Sequence, residues 1–172
     1  MTTINIPTYS ATIGNLTVIG NLSATGKTFA QYEYLATPGQ TFAGGGANTA
    51  IQYPTVVEES NISKLTISNT NSRFTNTSGS TMYVFVNALL SPNNPDAATS
   101  RMTIRISVNG AAQAIAANTV YYPPFVGTPI AAPLSTSTIL KLDNNDYFEA
   151  FLLNGAVANC TANNGSLAIS QV

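Results

Sequence analysis

Hydrophobic and polar residues alternate along much of this chain with a period of two. In RMTIRISV, Met102, Ile104, Ile106 and Val108 hold one parity while Arg101, Thr103, Arg105 and Ser107 hold the other. That is the pattern of a strand with one face toward a core and one toward water. Comparable runs recur as IQYPTVVEE, KLTISN, SRFTNT, TMYVFVNALL, STILKLD, YFEAFLLN and SLAISQV, with turn-forming residues between them. They predict about eight strands between Thr49 and Val172. No segment after Pro38 carries a helical period over ten residues.

Two of these runs are apolar on both parities. TMYVFVNALL sets Met82, Val84 and Val86 against Tyr83, Phe85 and Leu89, and YFEAFLLN sets Phe148, Ala150 and Leu152 against Tyr147, Phe151 and Leu153. A two-layer sandwich buries one face of each sheet, so a second apolar face predicts cover by another subunit. Tyr83, Phe85, Leu89, Tyr147, Phe151 and Leu153 are therefore the expected subunit interface.

The N-terminal segment has a different rhythm. Aligning its glycines gives GNLTVI, GNLSAT, GKT over residues 14–28, a six-residue repeat. Leu16, Val18 and Leu22 share one side of an extended chain, a narrow apolar stripe that a single ribbon cannot bury and that predicts packing against other copies. TFAQYEYLA, which follows, fits two turns of helix or a further strand until Pro38-Gly39 stops it. The division expected is a stalk or anchor over 1–36, a Gly-rich joint over 37–48 and a β-rich head over 49–172.

Composition narrows the chemistry. Only 8% of the 172 residues are charged, Lys+Arg 6 against Asp+Glu 7, for a net charge of -1. So weak a field predicts no nucleic-acid or anionic-membrane partner. There is no histidine and one cysteine, Cys160, which removes the commonest general base and any internal disulfide, so no enzyme activity and no cofactor are expected. The N-terminus lacks the basic and apolar regions of a signal peptide, and no run approaches a membrane span. Synthesis in a host cytoplasm is expected.

Several candidate sites stand out against that background. GNLSATGKT, Gly20 to Thr28, has the Gly and Gly-Lys-Thr content of a phosphate-binding loop, with TILKLD ending at Asp143 as an imitation of the accompanying acidic strand. Such a loop needs a parallel α/β scaffold, which the strand pattern denies, and the hexad repeat already explains Gly20 and Gly26. Asp143, Asp146 and Glu149 are calcium candidates by chemistry, or else the capping residues of an Asx-rich hairpin. Glu58 and Glu59 are adjacent, hence on opposite faces of a strand. YYPPFVGTP offers Tyr121, Tyr122 and Phe125 as a rigid aromatic loop for a sugar or a neighbouring protein, or as a loop folded over the sandwich edge.

From Thr49 onward the strand motifs resemble the C1q/TNF-like jelly roll. The residues that carry the resemblance are Phe74, Gly79, Tyr83 and Phe85, the Asn109-Gly110 turn, Leu140, Leu142, Asp146 and Tyr147, and the closing SLAISQV. It implies an all-β antiparallel jelly-roll sandwich and a homotrimer. Independently, GNLTVIGNLSATG resembles the repeats that precede decoration or receptor-binding domains in fibres of bacteriophages and large DNA viruses. The two together imply a virion protein, a trimeric fibre head or capsid-decorating protein. Its expected partners are other capsid or fibre proteins and, alternatively, a host-surface glycan or receptor.

Overall fold

The computed structural model describes residues 29–60, 64–68, 72–93, 99–110, 115–123, 131 and 133–172. Among them every regular element is a strand. One sheet contains β1 (Phe29–Phe42), β3 (Thr55–Ser60), β6 (Met82–Pro92), β9 (Leu134–Leu142) and β11 (Cys160–Gln171), in the order β3-β1-β11-β6-β9. The other contains β2 (Ala47–Ala50), β4 (Leu65–Ser68), β5 (Arg73–Asn76), β7 (Ser100–Val108), β8 (Ala116–Tyr122) and β10 (Tyr147–Asn154), in the order β4-β5-β10-β7-β8 with β2 also pairing β10. All pairings are antiparallel. Neighbours within a sheet are mostly distant in sequence, the connectivity of a jelly roll.

Alternation sets which side chains enter the core. Val84, Val86, Ala88 and Leu90 of β6 face Ile104 and Ile106 of β7 and Phe148 and Leu152 of β10 across the sandwich, all essentially without solvent contact. Each large apolar side chain so buried contributes about 1.5–3 kcal/mol. Phe74 and Phe148 stack within the core, ring centroids 5.1 Å apart. In β11 the backbone approaches β6 closely at Gly165, where a Cβ would lie 2.8 Å from the Leu89 carbonyl oxygen. A side chain there would force the two central strands apart.

The head begins earlier than the sequence pattern suggests. Phe29–Phe42 is one strand, paired with β11 from Phe29↔Ser170 to Phe42↔Cys160 and with β3 on its other side. Residues 29–36 therefore belong to the sandwich rather than to a stalk ending at 36, and the 37–48 stretch is mostly strand rather than a joint. The register shifts between Leu35 and Gln40, so the strand absorbs Pro38-Gly39 as an irregularity. This also resolves TFAQYEYLA as strand. Leu16, Val18, Leu22 and Lys27, with the rest of the hexad repeat, lie outside the described residues.

Two further differences have local causes. Strand β8 alternates only in part: Val120 and Tyr122 turn to the core, but at this sheet edge Asn118, at the same parity, is exposed together with Ala117 and Thr119. Asn109-Gly110 does adopt the paired positive φ of 55° and 63° expected of an Asn-Gly turn. It does not close a two-residue hairpin, since β7 and β8 pair only up to Ile106↔Ala116. Asn109 turns instead toward β10, donating from Nδ2 to Asp146 Oδ1 at 2.7 Å and accepting from the Tyr147 amide at 3.0 Å.

Candidate functional site

The two outer sheet faces differ in chemistry. On the five-stranded sheet, inward Met82, Val84 and Val86 force Tyr83 and Phe85 outward, where they are 50% and 38% exposed. Phe85 lies directly opposite Ile139 of β9, which is 58% exposed. The same face continues through half-buried Leu89 and, on β11, through Ser166, Ala168 and Ser170, registered against Leu89, Asn87 and Phe85. Lys141, opposite Tyr83, brings a charge to one end. Aromatic and branched side chains in water beside small uncharged ones form a surface with little to keep it solvated. Ile139 was missed in the sequence, although Leu140 and Leu142 fix the inward parity of β9 and leave Ile139 as an apolar residue pointing out.

The outer face of the six-stranded sheet mixes arginines and hydroxyls with half-buried apolar side chains. Glu149 of β10 is buried although it points outward, because Arg73 of β5 sits across from it, the guanidinium 3.3 Å from the carboxylate and 3.9 Å above the Tyr147 ring. Thr103 and Ser107 of β7 are buried at the outward parity too, so this strand is drier than its alternation suggests. Thr103 shares a hydroxyl–hydroxyl hydrogen bond of 2.9 Å with Thr119 of β8. Tyr147, Phe151 and Leu153 are half-buried on this face, opposite to the one that carries Tyr83, Phe85 and Leu89. The six residues expected to form one interface therefore make two surfaces on opposite sides of a protomer, because β6 and β10 belong to different sheets.

At one end of the sandwich the β9–β10 turn is fastened by side chains. Asp146 Oδ2 accepts from the Asp143 amide at 2.9 Å, and the Asp146 amide donates to the Asp143 carbonyl at 3.0 Å, with Asn145 at a φ of 70°. Asp143 accepts from the Thr81 hydroxyl at 2.6 Å and from the Lys141 ammonium, which hold its carboxyl below the ordinary range and Lys141 above its own. Glu149 is engaged by Arg73 on the sheet face. The three carboxylates do not converge, and no group of three possible metal ligands occurs among the described residues. The Asx-hairpin alternative describes this turn.

Of the aromatic loop, Tyr121 and Tyr122 are the end of β8, and Phe125 lies outside the described residues. Alternation separates the two tyrosines completely: Tyr121 is 68% exposed, whereas Tyr122 is 1% exposed inside the core. Of these two, Tyr121 is the one that can meet a partner. Cys160, expected in a turn, lies in β11 facing the core, and burial pushes its thiol from 9.0 up to about 12. At pH 9 the folded chain is expected to react with an aromatic disulfide reagent at least ~100-fold more slowly than the urea-unfolded chain, since both thiolate fraction and access fall. Equal rates would place Cys160 at the surface.

GNLSATGKT lies outside the described residues, yet its context is fixed: Phe29–Phe42 is a strand where a phosphate-binding loop requires a helix. The spacing also departs from G-x-x-x-x-G-K-[ST], five residues rather than four standing between Gly20 and Gly26. TILKLD belongs to β9, antiparallel to β6, and not to a parallel sheet.

The topology defines the chain as an antiparallel jelly-roll sandwich. No family model matches it. Nor does any curated protein. Among solved structures it is similar to the globular domain of zebrafish complement 1qA protein, with 11% sequence identity, a TM-score of 0.49, and 86% of this chain and 97% of that chain covered.

Proposed function

We propose that this chain is a non-enzymatic structural head, three copies of which assemble through the outer face of the five-stranded sheet, and that it serves as a fibre head or decorating protein on a virion. The observation that carries the assembly is the exposed group Tyr83, Phe85 and Ile139, beside which β11 sets Ser166, Ala168 and Ser170 and β9 brings Lys141 at one end. Such a face gains by burial against a like face at about 25 cal/mol per Å² of apolar area. An obligate interface above ~2,000 Å² is in reach only if neighbouring strands join it. The number three follows from the C1q/TNF-like motifs in the sequence, and the virion role from the fibre-type hexad repeat at residues 14–28. Its partners are then its own copies and neighbouring capsid or fibre proteins, and its place is the particle, after synthesis in the host cytoplasm.

Sedimentation equilibrium tests the assembly. Three times the 17.9 kDa chain mass is expected at micromolar concentration. A monodisperse monomer there would overturn the proposal. The virion role is tested separately, by recovering the protein in fixed stoichiometry from purified particles.

A further inference from the structure

All three arginines of the chain, Arg73, Arg101 and Arg105, lie on the outer face of the six-stranded sheet. Arg73 is neutralised by Glu149. The ion pair of Lys141 with Asp143 is the other one among the described residues, and neither pair takes Arg101 or Arg105. Arg105 lies between Phe151 of β10 and Ala117 of β8, and its Nε is buried with no hydrogen-bond partner. The side chain is half-buried, so an anion reaches it at the outer edge of the guanidinium, whose two terminal nitrogens can hold a carboxylate or sulfate. Arg101 stands four residues away on the same side of β7, roughly 13 Å at ~3.3 Å per residue. Thr103 and Thr119 form a hydroxyl floor between them, and Tyr121, directly opposite Arg101, presents an exposed ring at the sheet edge.

We propose that this face binds an acidic oligosaccharide, one carboxylate or sulfate on Arg105 and a second toward Arg101, with a sugar ring against Tyr121. The spacing suits successive anionic groups along an oligomer rather than one small anion. Hydroxyls on the floor suit sugar hydroxyls, and an aromatic ring suits the apolar face of a pyranose. A nucleic acid is the poorer fit, because Arg101 and Arg105 alone would neutralise about two phosphates and release too few counterions to hold a dense phosphate backbone. The site goes beyond the assembly role and lies on the opposite sheet from the apolar face.

The test uses three probes on the full-length protein by calorimetry: a sulfated uronic-acid hexasaccharide, a hexamer of galacturonic acid bearing carboxylates alone, and neutral maltohexaose. At least one anionic probe is expected to bind, more weakly as salt rises from ~50 to ~200 mM, and which one binds identifies the anion. Arg105→Ala and Arg101→Ala should each weaken it by about tenfold or more. Arg105→Lys, keeping charge but losing the fork, should recover part of the loss. Tyr121→Ala should weaken binding, and Lys141→Ala, on the other sheet, should leave it unchanged. Melting curves of the variants matching the parent establish that they fold. The proposal is overturned if neither anionic probe binds at about 1 mM, if maltohexaose binds equally, or if Lys141→Ala costs as much as Arg105→Ala. It is likewise overturned if the arginine variants change the mass of the assembly while no probe binds, which would make this face a contact between copies.

Discussion

Phe85→Asp is expected to convert the assembly to folded monomers. Phe85 points away from the core beside Ile139, so its removal costs the isolated sandwich little. Placing a carboxylate there, in a face that self-association would dry, costs about 3–5 kcal/mol when no cation waits opposite, which raises the dissociation constant roughly 100- to 5,000-fold. Sedimentation equilibrium reads the mass and far-ultraviolet circular dichroism the fold. Ile139→Asp should act in the same direction, whereas Leu153→Asp, on the opposite sheet, should leave the mass unchanged. An unchanged mass for Phe85→Asp would remove the five-stranded face from the assembly.

The second large effect concerns the end of the sandwich where the turns meet. Asn76 is buried, and its Nδ2 donates to the carbonyls of Ser80, Leu142 and Asp143 at 2.8, 2.9 and 3.1 Å while its Oδ1 accepts from the Ser78 amide at 2.9 Å. One side chain thus ties the β5–β6 loop to the β9–β10 turn across both sheets. Asn76→Ala takes a donor from the carbonyl of buried Leu142 and from those of Ser80 and Asp143, which keep the Ser78 hydroxyl and the Asp146 amide, and it should cost about 1–3 kcal/mol, seen as a lower urea midpoint at constant slope. Asn76→Asp should be worse at neutral pH, since it points a carboxylate oxygen at three carbonyls. That environment raises the folded-state pKa above the unfolded one, so the stability of this variant should be highest in acid and fall as pH rises through the folded value. A loss below ~1 kcal/mol for the alanine variant would mean that water satisfies those carbonyls equally well.

Much of the sandwich was legible where a strand is covered on one side. Met102, Ile104 and Ile106 declare the inner face of β7 by alternation alone, and Tyr83 and Phe85 declare an outer apolar surface because Val84 and Val86 already claim the core. Strand β8 was not legible, since at the sheet edge only Val120 and Tyr122 turn to the core and polar Asn118 occupies the same parity. The extent of β1 was hidden by Pro38-Gly39, which reads as a stop in a local pattern and is tolerated because β11 supplies pairing on both sides of the irregularity. The candidate sites divide in the same way. That Tyr121 and Tyr122 point in opposite directions follows from parity once they are known to lie in a strand. Their reading as a loop came from the prolines that follow.

The sequence by itself determined the all-β class, the inner parity of most strands, the apolar surplus on β6 and β10, and the shortage of groups for acid–base or metal chemistry. These are properties of neighbours along the chain, and a period of two records them. Only the tertiary structure decided that β6 and β10 lie in different sheets, so that their surplus faces point apart. It also decided that Arg73, Arg101 and Arg105 share one face and that Glu149 pairs with the first. Strand order is set by pairings between residues far apart in the chain, whose burial energy depends on the whole core, and no local pattern encodes it.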